Sequence, residues 1–157
     1  MSTRTVTTRT VTPRTIAPGP RAHGPVDVRV PTRSVAPAVL PTLAALGSIG
    51  EAVAHVPVIE PHLVEAPYIG IGFVLLVVAG FYLAVRLVVD PDELVWAATG
   101  GVAALALLGY VLSRSVGLPQ IGDDVGAWAD PLGITAVSCE VLMIVAAAAH
   151  HLVRPRP

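Results

Sequence analysis

An all-α membrane fold, four transmembrane helices in an antiparallel bundle behind a disordered N-terminal arm, is predicted by three features of the sequence. Of 157 residues, 54% are hydrophobic and only 13% charged, with a mean hydropathy of +0.72. That composition leaves too few polar side chains to cover a water-soluble domain. The apolar residues fall into four blocks, each long enough, at 1.5 Å per residue, to cross roughly 30 Å of hydrocarbon. Arginine and proline are concentrated ahead of the first block. Cys139, the single cysteine, excludes an internal disulfide framework and a cysteine-based zinc site.

Residues 1–37 read as a disordered basic arm. Prolines at 13, 18, 20, 25, 31 and 37 interrupt any helix. Arg4-Thr5-Val6, Arg9-Thr10-Val11 and Arg14-Thr15-Ile16 recur every five residues, a period that builds neither a one-faced helix nor a strand. All ten basic residues are arginine, and lysine and asparagine are absent, a usage that suggests a GC-rich genome. Arg4, Arg9, Arg14, Arg21, Arg29 and Arg33 lie in the arm beside one acid, Asp27. Each arginine near an anionic inner leaflet contributes about 1 kcal/mol, so anionic lipid is the expected partner of the arm and nucleic acid is not. Threonine phosphorylation would cancel this charge and release the arm.

The transmembrane domain is expected over 38–152, with spans at about 38–56, 68–89, 94–112 and 132–152 and a short tail at 153–157. Short connections make successive helices antiparallel neighbours. Asp90-Pro91-Asp92-Glu93 reads as a turn that starts the third helix, with Pro91 in its first turn and acids at the positive end of its dipole. The arm, Arg86, Arg154 and Arg156 fall on one side of the membrane and only Arg114 on the other. Both termini are therefore expected in the cytoplasm of a cell-membrane protein. Tyr68, Tyr110 and Trp128 then belong at the outer interface and Trp96 at the inner one. Ala52-Val53-Ala54 also resembles a signal-peptide cleavage site, but the polar region before it is long for a signal and Glu51 adjoins it. An organelle transit peptide is disfavoured by the proline content of the arm.

Ionisable groups inside hydrocarbon are expensive and mark sites. Glu51 lies five residues before the expected outer end of the first span, roughly 8 Å deep, and Glu140 eight residues into the fourth, roughly 12 Å deep. Gly47, Glu51 and His55 share a helical stripe beside Ser48, and Gly133, Ala136 and Glu140 share another. Small residues on these faces point to burial against protein. Ala97/Gly101 and Gly100/Ala104 in the third helix offer a matching surface. Arg114 is the natural counter-ion, giving an intramembrane cluster of Glu51, Arg114 and Glu140. Paired, it is structural glue; unpaired, the carboxyls suit a proton relay.

The first outer connection, read as a stiff extended loop because of Pro57, Pro61 and Pro67, places His55, Glu60, His62 and Glu65 opposite Asp123, Asp124 and Asp130. Imidazole with carboxylate suits Zn or Cu(II), and carboxylates alone suit Ca or Mg. His55, Glu60, His62 and Glu65 are thus candidate metal ligands, against the alternative of a solvated acidic loop. His150 and His151 complement the dipole at the end of the fourth helix, and a haem role lacks a second axial ligand. Nucleophile elbow, phosphate loop, zinc-protease helix and dinucleotide fingerprint are all missing. No enzyme and no cofactor is expected.

At the end of the third span, Gly109-Tyr110-Val111-Leu112-Ser113-Arg114-Ser115-Val116-Gly117-Leu118-Pro119 leads into Asp123-Asp124-Val125-Gly126-Ala127-Trp128 and Asp130-Pro131-Leu132-Gly133. This resembles small uncharacterised multi-pass membrane proteins of actinobacteria, in which a Ser-Arg-x-x-Gly-Leu-Pro turn precedes an acidic, Trp-containing loop and a last helix that carries Glu. The similarity covers about residues 55–150. It implies four helices, draws attention to Arg114, Asp124, Trp128 and Glu140, and brings no activity. The leading expectation is a membrane accessory or interaction protein, partnered by lipid, another membrane protein or itself. The alternative is a small proton or metal-cation transport or sensing subunit, working as a homo-oligomer.

Overall fold

The computed structural model describes residues 36–153. The expectations for the N-terminal arm and its leaflet contacts, and the tail at 154–157, fall on residues outside those described. Four helices make up the chain between these limits: α1 (Ala36–Glu65), α2 (Pro67–Val89), α3 (Glu93–Ser115) and α4 (Pro131–Val153). All four are long and apolar enough to cross a membrane. Among the described residues there is no strand, only an isolated bridge between Leu118 and Ile121. One end of the bundle carries the 116–130 loop and the α1/α2 turn, and is called the loop end. The other carries the 90–92 turn and is called the turn end.

The bundle carries an apolar exterior and admits polar groups to its interior beside an apolar core. Ser48, Glu51, Thr99 and Glu140 are buried, whereas Leu75, Val78, Val85 and Leu105 face outward and are more than half exposed. Outward apolar side chains are what lipid tails solvate, while inward polar groups find protein partners. The hydroxyls serve themselves locally: Ser48 donates to the Ala44 carbonyl at 2.9 Å and Thr99 to that of Val95 at 2.8 Å, each bonding one turn back.

The first connection departs from expectation. Where an extended loop was expected over 57–67, α1 continues through Pro41, Pro57 and Pro61 for 30 residues, about 45 Å. Proline removes an amide donor and crowds the preceding turn, but a membrane helix keeps its remaining backbone bonds because no water competes for them. Pro57 and Pro61 are four apart, so both rings fall on one exposed face and leave the packing face intact. The chain then reverses at Ala66 alone. Its amide donates to the His62 carbonyl at 2.9 Å while its own carbonyl accepts from Ile69 and Gly70.

α1 packs between α2 and α4, and α3 leans on α4 while touching α2 only lightly. Glycines set the close approaches. A Cβ on Gly70 would sit 2.6 Å from the Leu63 nitrogen, and one on Gly80 would sit 2.9 Å from the Ser48 carbonyl. On the α4 side, Gly47 and Gly50 leave room for Met143 and Cys139. The expected Ala97/Gly101 pair does not join α3 to its neighbours. Ala97, Gly101 and Ala104 face outward, because Trp96, Thr99 and Ala103 occupy the packing face. Gly100 does meet Ala147. At the turn end Ala44, Leu83, Leu87, Val95, Trp96 and Ala147 close an apolar core. Asp92, not Pro91, starts α3: its carboxylate accepts from the Val95 amide at 2.9 Å, and Pro91 precedes the cap.

Gly70→Ala should lower thermal stability in detergent by about 1 to 3 kcal/mol through overpacking at the Leu63 backbone. Gly101→Ala, with open space around it, should be neutral or stabilising. Equal melting temperatures for the two variants would contradict this packing.

Candidate functional site

The extension of α1 moves Glu51 away from any helix end to the middle of the bundle. Glu51 and Glu140 are 0% and 1% exposed, Glu51 on the α1 face that meets Gly80 of α2 and Cys139 of α4. The two carboxyls are near enough for their charges to interact. Among the described residues, neither Glu51 oxygen, nor Oε2 of Glu140, has a hydrogen-bond partner. The small-residue stripes read from the sequence are what make this burial geometrically feasible, since Gly47, Ser48, Ala52 and Ala136 are all buried around them.

Arg114 does not neutralise either glutamate. It forms an ion pair with Asp124 and lies over the Tyr110 ring, 5.3 Å from its centroid. Loop geometry determines this choice. Gly117, Gln120 and Gly126 adopt left-handed backbone conformations that fold 116–130 back over the helix ends. The Gly126 amide donates to the Arg114 carbonyl at 2.9 Å. Tyr68 donates to the Pro119 carbonyl at 2.7 Å and Tyr110 to that of Trp128 at 2.9 Å, with Trp128 edge-on to the Tyr110 ring. Asp130 caps α4 by accepting from the Gly133 amide at 2.6 Å. Asp123 is exposed.

Between α2 and α3 the weak contact leaves a cavity of about 490 Å³. It runs from Arg114, Asp124 and Asp130 at the loop end, past Tyr110, to Glu140. His55 and His62 line its α1 wall. Their rings rest on Phe73, with centroids 4.9 and 5.0 Å away, and their Nδ1 atoms donate to the carbonyls of Glu51 and Val58.

The metal set expected from His55, Glu60, His62 and Glu65 is not assembled. On a helix instead of a loop, the two histidines turn inward while Glu60 and Glu65 point outward. The described residues that do converge as ligands are Glu93, His150 and His151. They meet because α3 begins where α4 ends. Trp96, expected at a lipid interface, is instead buried beneath His150, with its ring stacked at 4.3 Å. Tyr68, Tyr110 and Trp128 do gather at the loop end. Compared with protein families, curated proteins and solved structures, the chain shows no match.

A double-mutant cycle of Arg114→Gln with Asp124→Asn, read by thermal unfolding in detergent, should show a coupling of about 1 kcal/mol for this partly buried pair. The cycle of Arg114→Gln with Glu140→Gln should be additive. The reverse result would restore Arg114 to the glutamates.

Proposed function

We propose that the chain is a non-enzymatic, membrane-embedded proton-binding subunit of a transport or sensing system, loaded from the loop end, with Glu51 and Glu140 as the groups that hold the proton. The observation that carries this is the buried carboxyl pair without a cation. Two carboxylates in an apolar interior are costly to keep charged together, and a shared proton removes that cost. A hard metal cation would want six or more oxygens. On the same α1/α4 seam Cys139 and Met143 pack against Gly47 and Gly50, and the Ser48 hydroxyl is already bonded to Ala44. A proton fits that environment better.

The cavity supplies access from one side, ending at Glu140 with Glu51 behind it. The apolar core of Leu83, Leu87, Val95 and Trp96 blocks the other side, so one copy offers a loading site and no through path. Delivery across the membrane then needs helix movement or a homo-oligomer. A cell membrane, both termini cytoplasmic and kinship with the small actinobacterial membrane proteins that carry the Ser113-Arg114 turn belong to the same proposal. The accessory role, a scaffold contacting lipid or another membrane protein, requires nothing of this pair.

Carbodiimide labelling followed by mass spectrometry tests for a protonated buried carboxyl. Labelling is expected at Glu140 or Glu51 in membranes near neutral pH, fading as pH rises. In proteoliposomes under a pH gradient, Glu51→Gln and Glu140→Gln should each slow proton movement at least about tenfold, a barrier change of roughly 1.4 kcal/mol, while retaining the native melting temperature. Unlabelled carboxyls and native vesicles no leakier than empty ones would leave the accessory role standing in place of this one.

A further inference from the structure

At the turn end, remote from the carboxyl pair, two consecutive imidazoles converge on one carboxylate. His150 Nε2 lies 3.0 Å from Glu93 Oε1, His151 Nδ1 lies 3.5 Å from Glu93 Oε2, and one ligand atom from each residue falls within 4.8 Å of the others. We infer that Glu93, His150 and His151 form a binding site for a divalent transition-metal ion, with Zn²⁺ as the cation their geometry fits.

Zinc bonds of about 2.0 to 2.1 Å in a tetrahedron separate adjacent ligand atoms by about 3.3 Å. The contacts of 3.0 Å to Oε1 and 3.5 Å to Oε2 lie on either side of that length, and the three ligand atoms, all within 4.8 Å of one another, need only close in slightly around an ion. Two imidazoles with one carboxylate are a set that zinc accepts with water or a further group in the fourth position. Nitrogen donors in the majority select against Ca²⁺ and Mg²⁺, which want oxygen throughout. The two contacts reach different oxygens of one carboxylate, so both imidazoles are already gathered at the group that would share the ion with them.

Three features aim the ligands. The His150 ring is stacked on Trp96 at 4.3 Å and within 10° of parallel, and Trp96 is itself only 1% exposed, so His150 has a fixed base from which Nε2 projects. His151 stands edge-on to His150, ring centroids 5.4 Å apart, with its Nδ1 toward the other oxygen of the same carboxylate. Glu93 opens α3 directly after the Asp92 cap, so its backbone is held as well. The three side chains are half-buried to exposed, open to ions from the aqueous phase. Binding would clamp the start of α3 to the end of α4, two segments far apart in sequence.

The full chain, treated with a chelator and exchanged into mild detergent, is titrated with Zn²⁺ against a chromogenic chelator. One Zn²⁺ per chain is expected. His151→Ala and Glu93→Gln should each weaken it by on the order of tenfold or more, whereas His62→Ala, in the other histidine pair, should leave it unchanged. His150→Ala also unpacks Trp96, so His151→Ala is the deciding variant. Co²⁺ in place of Zn²⁺ should give the visible absorption of a tetrahedral site, lost in His151→Ala. Failure to bind one Zn²⁺ per chain, or binding of equal strength in His151→Ala and Glu93→Gln, overturns the assignment.

Discussion

Everything in this bundle depends on how closely α1 can approach α2 and α4. Lipid tails are as apolar as leucine, so helices in a membrane gain little from hiding leucine from them, and they associate where backbones come close enough for dispersion and polar contacts to accumulate. Gly70 and Gly80 allow this on one side of α1, Gly47 and Gly50 on the other. Glu51 lies on the seam so formed. Its burial is a consequence of that seam, because a wider separation would admit lipid or water beside the carboxyl.

The charges are sorted by where the chain lets them reach. Arg114, at the end of α3, is held by a loop folded over it and goes to Asp124, leaving the mid-bundle carboxyls without it. Arg86, at the opposite end, is engaged by Asp92 at 2.9 Å beside the Asp90 backbone and Tyr82. Each end thus has its own arginine–aspartate pairing, the turn end adding histidine, tryptophan and glutamate, with an acidic centre between them.

Much of the architecture was legible from run length and composition alone. Four apolar blocks of membrane-spanning length became four helices, and the stripes Gly47/Glu51/His55 and Ala136/Glu140 were read on their correct faces. The error over 57–67 came from treating Pro57 and Pro61 as breakers, a rule learned from water-exposed helices whose freed carbonyls find other partners. That one misreading displaced Glu51 in depth and scattered the proposed ligand set. The partner of Arg114 was not legible, because three left-handed loop residues, one of them Gln120, decide it, and no pattern in the sequence demands that conformation of a glutamine. The Glu93, His150 and His151 cluster was within reach: a short turn after α2 and antiparallel neighbours already place the first residue of α3 beside the last turn of α4.

The one-residue reversal at Ala66 bears on how the molecule is built. Joining α1 to α2 with no slack makes the entropy of bringing them together as small as a connection allows, and their contacts are close in sequence, which favours early formation. The two helices are thus suited to enter the bilayer together as a preformed hairpin, with the prolines of α1 already inside a paired unit. α4 must instead find α1 across the whole of α3 and its loop. Assembly therefore ends where the acidic centre is sealed, and the second glutamate leaves water only once the first is already in place.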